Sequence, residues 1–355
     1  GTLQIGDGGT SGTLGTGNVA DNAALVFNRS DSLTQTGLIS GTGTLTQQGT
    51  GTLTLTANNT YTGTNTIANG VLVLANDAPS PTNMSFTGTG QLRIEPTSND
   101  FTGAFSTSGW SFGSTLSGLT IGKTSSADGT TDKDVTITGA ISIAGPITIY
   151  GGAVTLNAGL TTTNATTGDV LIKTAGLTGL AVAGSITLAT GRNLTVDQSG
   201  ESIYQGIVSG NAATLTKTGT GRLNLTATNT YSGGTSVNAG TLGIYGNGGM
   251  GTGDLTLGAN TTLLLGRGVT SLSNNINLTG AATIGLDSSV EYLVVGGGAG
   301  GGTGYDSGGG GGGGAGGTLQ DTVALSGGVV NVTVGAGGIG GVATRTATST
   351  NDGTN

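Results

Sequence analysis

The sequence predicts an all-β protein. Residues 1–290 read as a parallel β-helix (β-solenoid) with an irregular insert at about 77–134, and residues 291–355 as a glycine-rich β segment. Three observations carry this. Glycine takes 75 positions and threonine 67, together 142 of 355. Short apolar runs alternate with a period of two. A 31-residue stretch recurs once, without a gap.

The composition excludes helices first. Glycine costs a helix about 1 kcal/mol relative to alanine, and the longest stretch without one is 18–36. Threonine, valine and isoleucine favour extended chain because branching at Cβ stiffens χ1. The alternation is plain in Leu53-Thr54-Leu55-Thr56, Val71-Leu72-Val73-Leu74, Val135-Thr136-Ile137-Thr138 and Ser185-Ile186-Thr187-Leu188. Each run is short and bounded by Gly, Asn or Asp, which is strand-and-turn chemistry. So much Gly and Thr could also read as low complexity. The hydrophobic content of 34% is regularly spaced, however, and argues for a packed chain.

Residues 44–74 and 214–244 align at an offset of 170 with 16 of 31 positions identical. Both copies carry a Gly-Thr-Gly turn (Gly49 to Gly51; Gly219 to Gly221) and then an apolar pair two apart (Leu53/Leu55; Leu223/Leu225). Asn-Thr-Tyr-x-Gly follows (Asn59 to Gly63; Asn229 to Gly233), and a glycine (Gly70; Gly240) precedes the last strand. Leu then points into a thin core, Thr points out, and the Asn-Thr-Tyr corner turns the chain. Such a unit cannot bury its apolar face alone and must stack on its neighbours. At about 20–24 residues per coil, residues 1–290 give roughly 12–14 coils and a rod on the order of 60 Å.

These repeats resemble the autotransporter-associated β-strand repeat of bacterial autotransporter passengers. Gly1-Thr2-Leu3-Gln4-Ile5-Gly6 resembles the tail of one such repeat. Residues 135–200, with Gly184-Ser185-Ile186-Thr187-Leu188 and Asn193-Leu194-Thr195-Val196, are similar to filamentous-haemagglutinin-type coils. The resemblance implies a secreted protein of the bacterial cell surface.

The insert gathers Pro79, Pro81, Pro96, Phe86, Phe101, Phe105, Phe112 and the single tryptophan, Trp110. Two readings stand. Trp110, Phe101, Phe105 and Phe112 form an exposed patch for sugars or partners, or they form a small core under a long loop. The second is favoured.

From 291 the chain reads Glu291-Tyr292-Leu293-Val294-Val295, then glycine-rich chain to Gly317, then a second strand pair around Val329–Val334. The tract is a flexible linker or a set of close-packed extended strands. It resembles the glycine-rich domains of phage tail-fibre tips and surface proteins. Gly296-x-Gly298-x-x-Gly301 mimics a dinucleotide fingerprint, but polyglycine follows where a helix must open. Gly301 to Asp306 matches one calcium-binding nonapeptide, whereas such sites form between tandem copies.

The sequence contains neither histidine nor cysteine, which excludes a Ser-His-Asp triad, thiolate chemistry and His-ligated metal. The net charge of −8 and the lack of a basic cluster argue against nucleic acid. No apolar run is long enough for a transmembrane helix. The three glutamates, Glu95, Glu201 and Glu291, are far apart, and Asp128, Asp132 and Asp134 around Lys133 read better as a solvated turn than as a calcium or sugar site. Sequons at Asn193, Asn224 and Asn331 follow from composition. No catalytic, cofactor-binding or metal residue is expected. The expected function is a non-enzymatic surface shaft or filament subunit that self-associates through its solenoid ends or glycine-rich segment. An adhesin passenger that binds a surface glycan or receptor is the alternative, and a carbohydrate-active β-helix enzyme a weaker one.

Overall fold

The computed structural model describes residues 1–77, 83–127, 132–179, 184–295 and 318–325. Within these, all regular structure is β-strand apart from one 3-10 turn, Thr124–Ala127. Two compact units divide at Gly285 and Leu286.

The first unit is a parallel coil of about 13 turns. Its strands fall on three faces. Face I runs through Thr2–Ile5, Ala24–Phe27, Thr44–Gln47, Asn65–Ile67 and Ser85–Gly88 to Ser111–Phe112, and Ile141–Ile143 is the neighbour of that last strand. Face II runs unbroken from Leu33–Gln35 to Ile276–Leu278. Face III holds Val135–Ile137, Glu201–Tyr204, Arg222–Leu225, Thr241–Ile244 and Thr262–Gly266. Two long strands, Ile147–Leu156 and Val170–Gly179, cross directly from face II to face III.

Alternation builds the core. On face II the inward positions stack as Leu53, Leu72, Leu92, Leu119, Ile147, Val170, Leu194 and Leu215, each paired in register with the next. All eight are buried, and burying such a side chain is worth about 1.5–3 kcal/mol. Most outward positions between them are half-exposed, among them Thr54, Thr120, Thr148, Thr195 and Thr216, whereas Val73 is buried.

That ladder contains an unexpected step. Leu53 lies on the second strand of the first repeat, and Leu215 on the first strand of the second. Seven parallel pairings join them on one face. The second repeat is therefore rotated by one face relative to the first.

The insert does not leave the coil. Its strands continue faces I and II, but its turns are longer. An early coil closes within the span from Leu25 to its partner Leu45. The insert takes more chain to do the same, from Ser85 to Ser111 and from Phe105 to Val135. In the second unit, residues 288–295 pair antiparallel with Thr318–Leu325, from Ser288↔Leu325 to Val295↔Thr318. The dinucleotide-like glycines, the calcium-like nonapeptide and the strand pair expected at 329–334 lie outside the described residues.

Candidate functional site

The repeat motif has a structural explanation at each position. Asn59 Oδ1 accepts a hydrogen bond from the Ile39 amide of the preceding coil at 2.8 Å, and Asn229 Oδ1 accepts one from Val208 at 2.7 Å. The following tyrosines point inward. Tyr61 is bonded to Asn65, and Tyr231 to Thr235 at 2.6 Å. Burial pushes both phenols far above the ordinary tyrosine range, so they stay neutral donors. Asn-Thr-Tyr is thus a corner clamp: Asn ties one coil to the next and Tyr plugs the interior.

A second clamp precedes each Gly-Thr-Gly turn. Gln47 Nε2 donates to the carbonyls of Gly49 at 2.9 Å and Gly51 at 3.0 Å. The equivalent residue in the second repeat is Lys217, which is fully buried. Its Nζ donates to Thr218, Gly219 and Ala239 carbonyls at 2.8, 2.7 and 3.3 Å. Burial pushes the ammonium down to about 8, while Asp197 pulls it up. Period-two patterning marks position 217 as inward, but only the carbonyls of the turn explain a lysine there.

The aromatic residues of the insert are interior. Trp110, Phe101 and Phe105 are 7%, 3% and 1% exposed, and Phe112 is half-buried against the same core. Trp110 meets Phe105 edge to face at 5.5 Å and Phe86 at the same distance, and Phe101 stacks on Phe105 at 5.2 Å. The wider coils need larger side chains to fill their section, and aromatic rings in offset or edge contact do so. This corrects the exposed-patch reading and places the cluster in the main core rather than under a loop.

The insert still shapes the surface. Residues 96–104 and 122–134 are extra lengths between face II and face III in two successive coils, whereas the next coil crosses that corner in the single strand Ile147–Leu156. The step leaves an open groove of about 580 Å³ on the outer side of face II. Arg93 and Glu95 line one end, Lys123 and Ser125 the wall, Thr148 and Tyr150 the other end. Arg93, Thr120 and Thr148 are register partners on consecutive strands. Arg93 Nη2 meets Glu95 Oε2 at 2.7 Å, and the arginine side chain remains 45% exposed.

The wall is pinned from behind. Ser125 Oγ donates to the Asn99 carbonyl at 2.8 Å and Lys123 Nζ to that of Ser98 at 3.4 Å. The Ser98 amide donates to Asp77 Oδ1 at 2.8 Å, a bond that holds the Asp77 carboxyl below its usual range. Asp100 ties the two loops together by accepting from the Lys133 amide at 2.7 Å. The sequence offered no signal for this groove, because Arg93, Lys123 and Tyr150 come from three coils.

The remaining candidates are accounted for by local structure. Asp134 accepts from the Ala153 amide of the next coil at 2.9 Å, tying two coils at the start of a strand, and Asp128 lies outside the described residues. Among the described residues no three His, Cys, Asp or Glu stand together as a metal site. Asn224 is buried and bonded to Glu201 at 3.1 Å, and Asn193 accepts from Thr214 and Thr216. Asn331 lies outside the described residues.

Comparison with known proteins agrees with the repeats. The passenger-associated-transport-repeat family matches residues 45–74 and 215–244, and a glycine-rich domain family matches 273–355. An adhesin BmaC autotransporter of Brucella suis biovar 1 (strain 1330) is 62% identical over 74 residues, which is 21% of this chain and 2% of that protein. The chain thus spans a small fraction of that relative's length. No solved structure matches. Over these segments the chain is similar to bacterial autotransporter passengers, with two transport repeats seated in a parallel coil and a glycine-rich match beyond them.

Proposed function

We propose that this chain is part of a secreted bacterial cell-surface protein, in which a non-enzymatic solenoid arm holds an adhesive surface away from the cell. The observation that carries this is the unbroken face II ladder, stacked through both transport repeats. Every coil bonds its neighbours through backbone, so the arm is stiff without disulfides. The relative named as an adhesin supports the adhesive part. Self-association through the solenoid ends or the glycine-rich segment belongs to the same proposal. An enzyme reading would need clustered carboxylates, and Asp134 instead ties two coils by accepting from the Ala153 amide.

Beads coated with the whole chain test the adhesive part. They are expected to adhere to cultured cells above uncoated beads, and equal retention would overturn the reading. Sedimentation of the same material is expected to show species larger than one chain.

A further inference from the structure

We propose that the groove beside face II binds a carboxylate-bearing polysaccharide lying along the solenoid axis. This deepens the proposed function by naming a ligand class, and it can fail while the arm reading stands.

Beyond Tyr150 the same face carries a second cavity. Tyr150 pairs with Lys173, and Lys173 with Asp197, on the next two strands of face II. Lys173 and Asp197 line this cavity, of about 250 Å³, at the same corner. The two cavities together follow five strands from Arg93 to Asp197, about 20 Å at the spacing of a β-ladder. An elongated trough on a rigid sheet suits a linear polymer better than a compact ligand.

Its chemistry narrows the class. The lining is rich in hydroxyls, from Thr120, Thr124, Ser125 and Thr148, and Tyr150 supplies the aromatic surface. Hydroxyl donors and acceptors with one ring are suited to sugars. A peptide would want a free strand edge or an apolar anchor. The face II strands here are paired on both sides, which removes the edge.

Charge completes the argument. The chain as a whole carries −8. Along this trough Arg93, Lys123 and Lys173 stand against Glu95 and Asp197. Among the described residues that line the two cavities, three cations therefore stand against two carboxylates, and on an acidic protein that is where an anion is best tolerated. The arginine fork suits a carboxylate. One cation every one or two rungs matches a lightly charged polymer rather than a densely sulfated one or a nucleic acid, whose phosphates call for many contacts.

Calorimetric titration of the whole chain with oligogalacturonate, hyaluronan oligosaccharide, heparin oligosaccharide and dextran tests this. Binding of oligogalacturonate supports a plant or microbial source, and binding of hyaluronan supports an animal one. In either case affinity should fall with added salt. The double variant R93A/K123A is expected to lose about tenfold or more. Thr46→Ala, on face I, should keep the wild-type affinity, and Trp110 emission confirms that both variants fold. Equal binding of dextran, binding of heparin alone, or wild-type affinity in R93A/K123A overturns the proposal. If coated beads hold to cells while the chain ignores both carboxylated sugars, the groove fails and the adhesive arm survives.

Discussion

Lys217 is a charged residue inside an aliphatic stack, between Val196 and Val237 on face II. It is held there because a turn leaves carbonyls that need donors, and an unmet buried carbonyl costs about 1–3 kcal/mol. Gln47 does the same work without a charge. The folded-state value of about 8 lies below the ordinary lysine value of 10.5. Between those values the unfolded chain binds the proton and the folded chain does not, so stability rises as pH climbs through that window. Lys217→Gln is expected to abolish this rise and to increase Tm at neutral pH by a few degrees, as about 1 kcal/mol does in a chain of this size. Thermal melts between neutral pH and the ordinary lysine value check it. Lys217→Ala should lower Tm across the whole range.

Turns set how closely coils stack. A Cβ on Gly51 would collide with the Asp31 carbonyl oxygen of the coil before it, and one on Gly221 with that of Gly200. Gly51→Ala or Gly221→Ala is therefore expected to cost about 1–3 kcal/mol by forcing two coils apart. Hydrogen exchange should show the loss in the substituted coil and the one before it, and not in distant coils, because solenoid interactions are between neighbours. These elements were legible in the sequence: the Gly-Thr-Gly turn, the Leu pair and the Asn-Thr-Tyr corner each recur in the second copy and each serve the same role twice. The aromatic residues were harder to place. In the connections 96–104 and 107–110, outside the strands, the period of two is lost. Phe101 and Trp110 therefore carry no mark of which way they point. The groove was not legible at all, since register across coils of unequal length decides which residues meet.

The coil as a whole is a stack of layers sharing one core, and Trp110 sits in that core. Its emission is expected to be blue-shifted and protected from acrylamide; red-shifted, readily quenched emission would contradict the packing described here. Coil number was close to the sequence estimate because the spacing of Leu and Gly fixes it. Coil phase was hidden, since the chain between the two repeat copies contains turns of several lengths. The rotation of the second repeat bears on valency. Thr54 and Asn224 occupy the same place in the repeat, yet one belongs to face II and the other to face III. The copies are about 35 Å apart along the axis, from seven ladder steps. A partner with two identical heads on a short straight tether could not engage both, and avidity would be lost to geometry. Repeating a sequence along this arm therefore multiplies length without multiplying binding in any one direction.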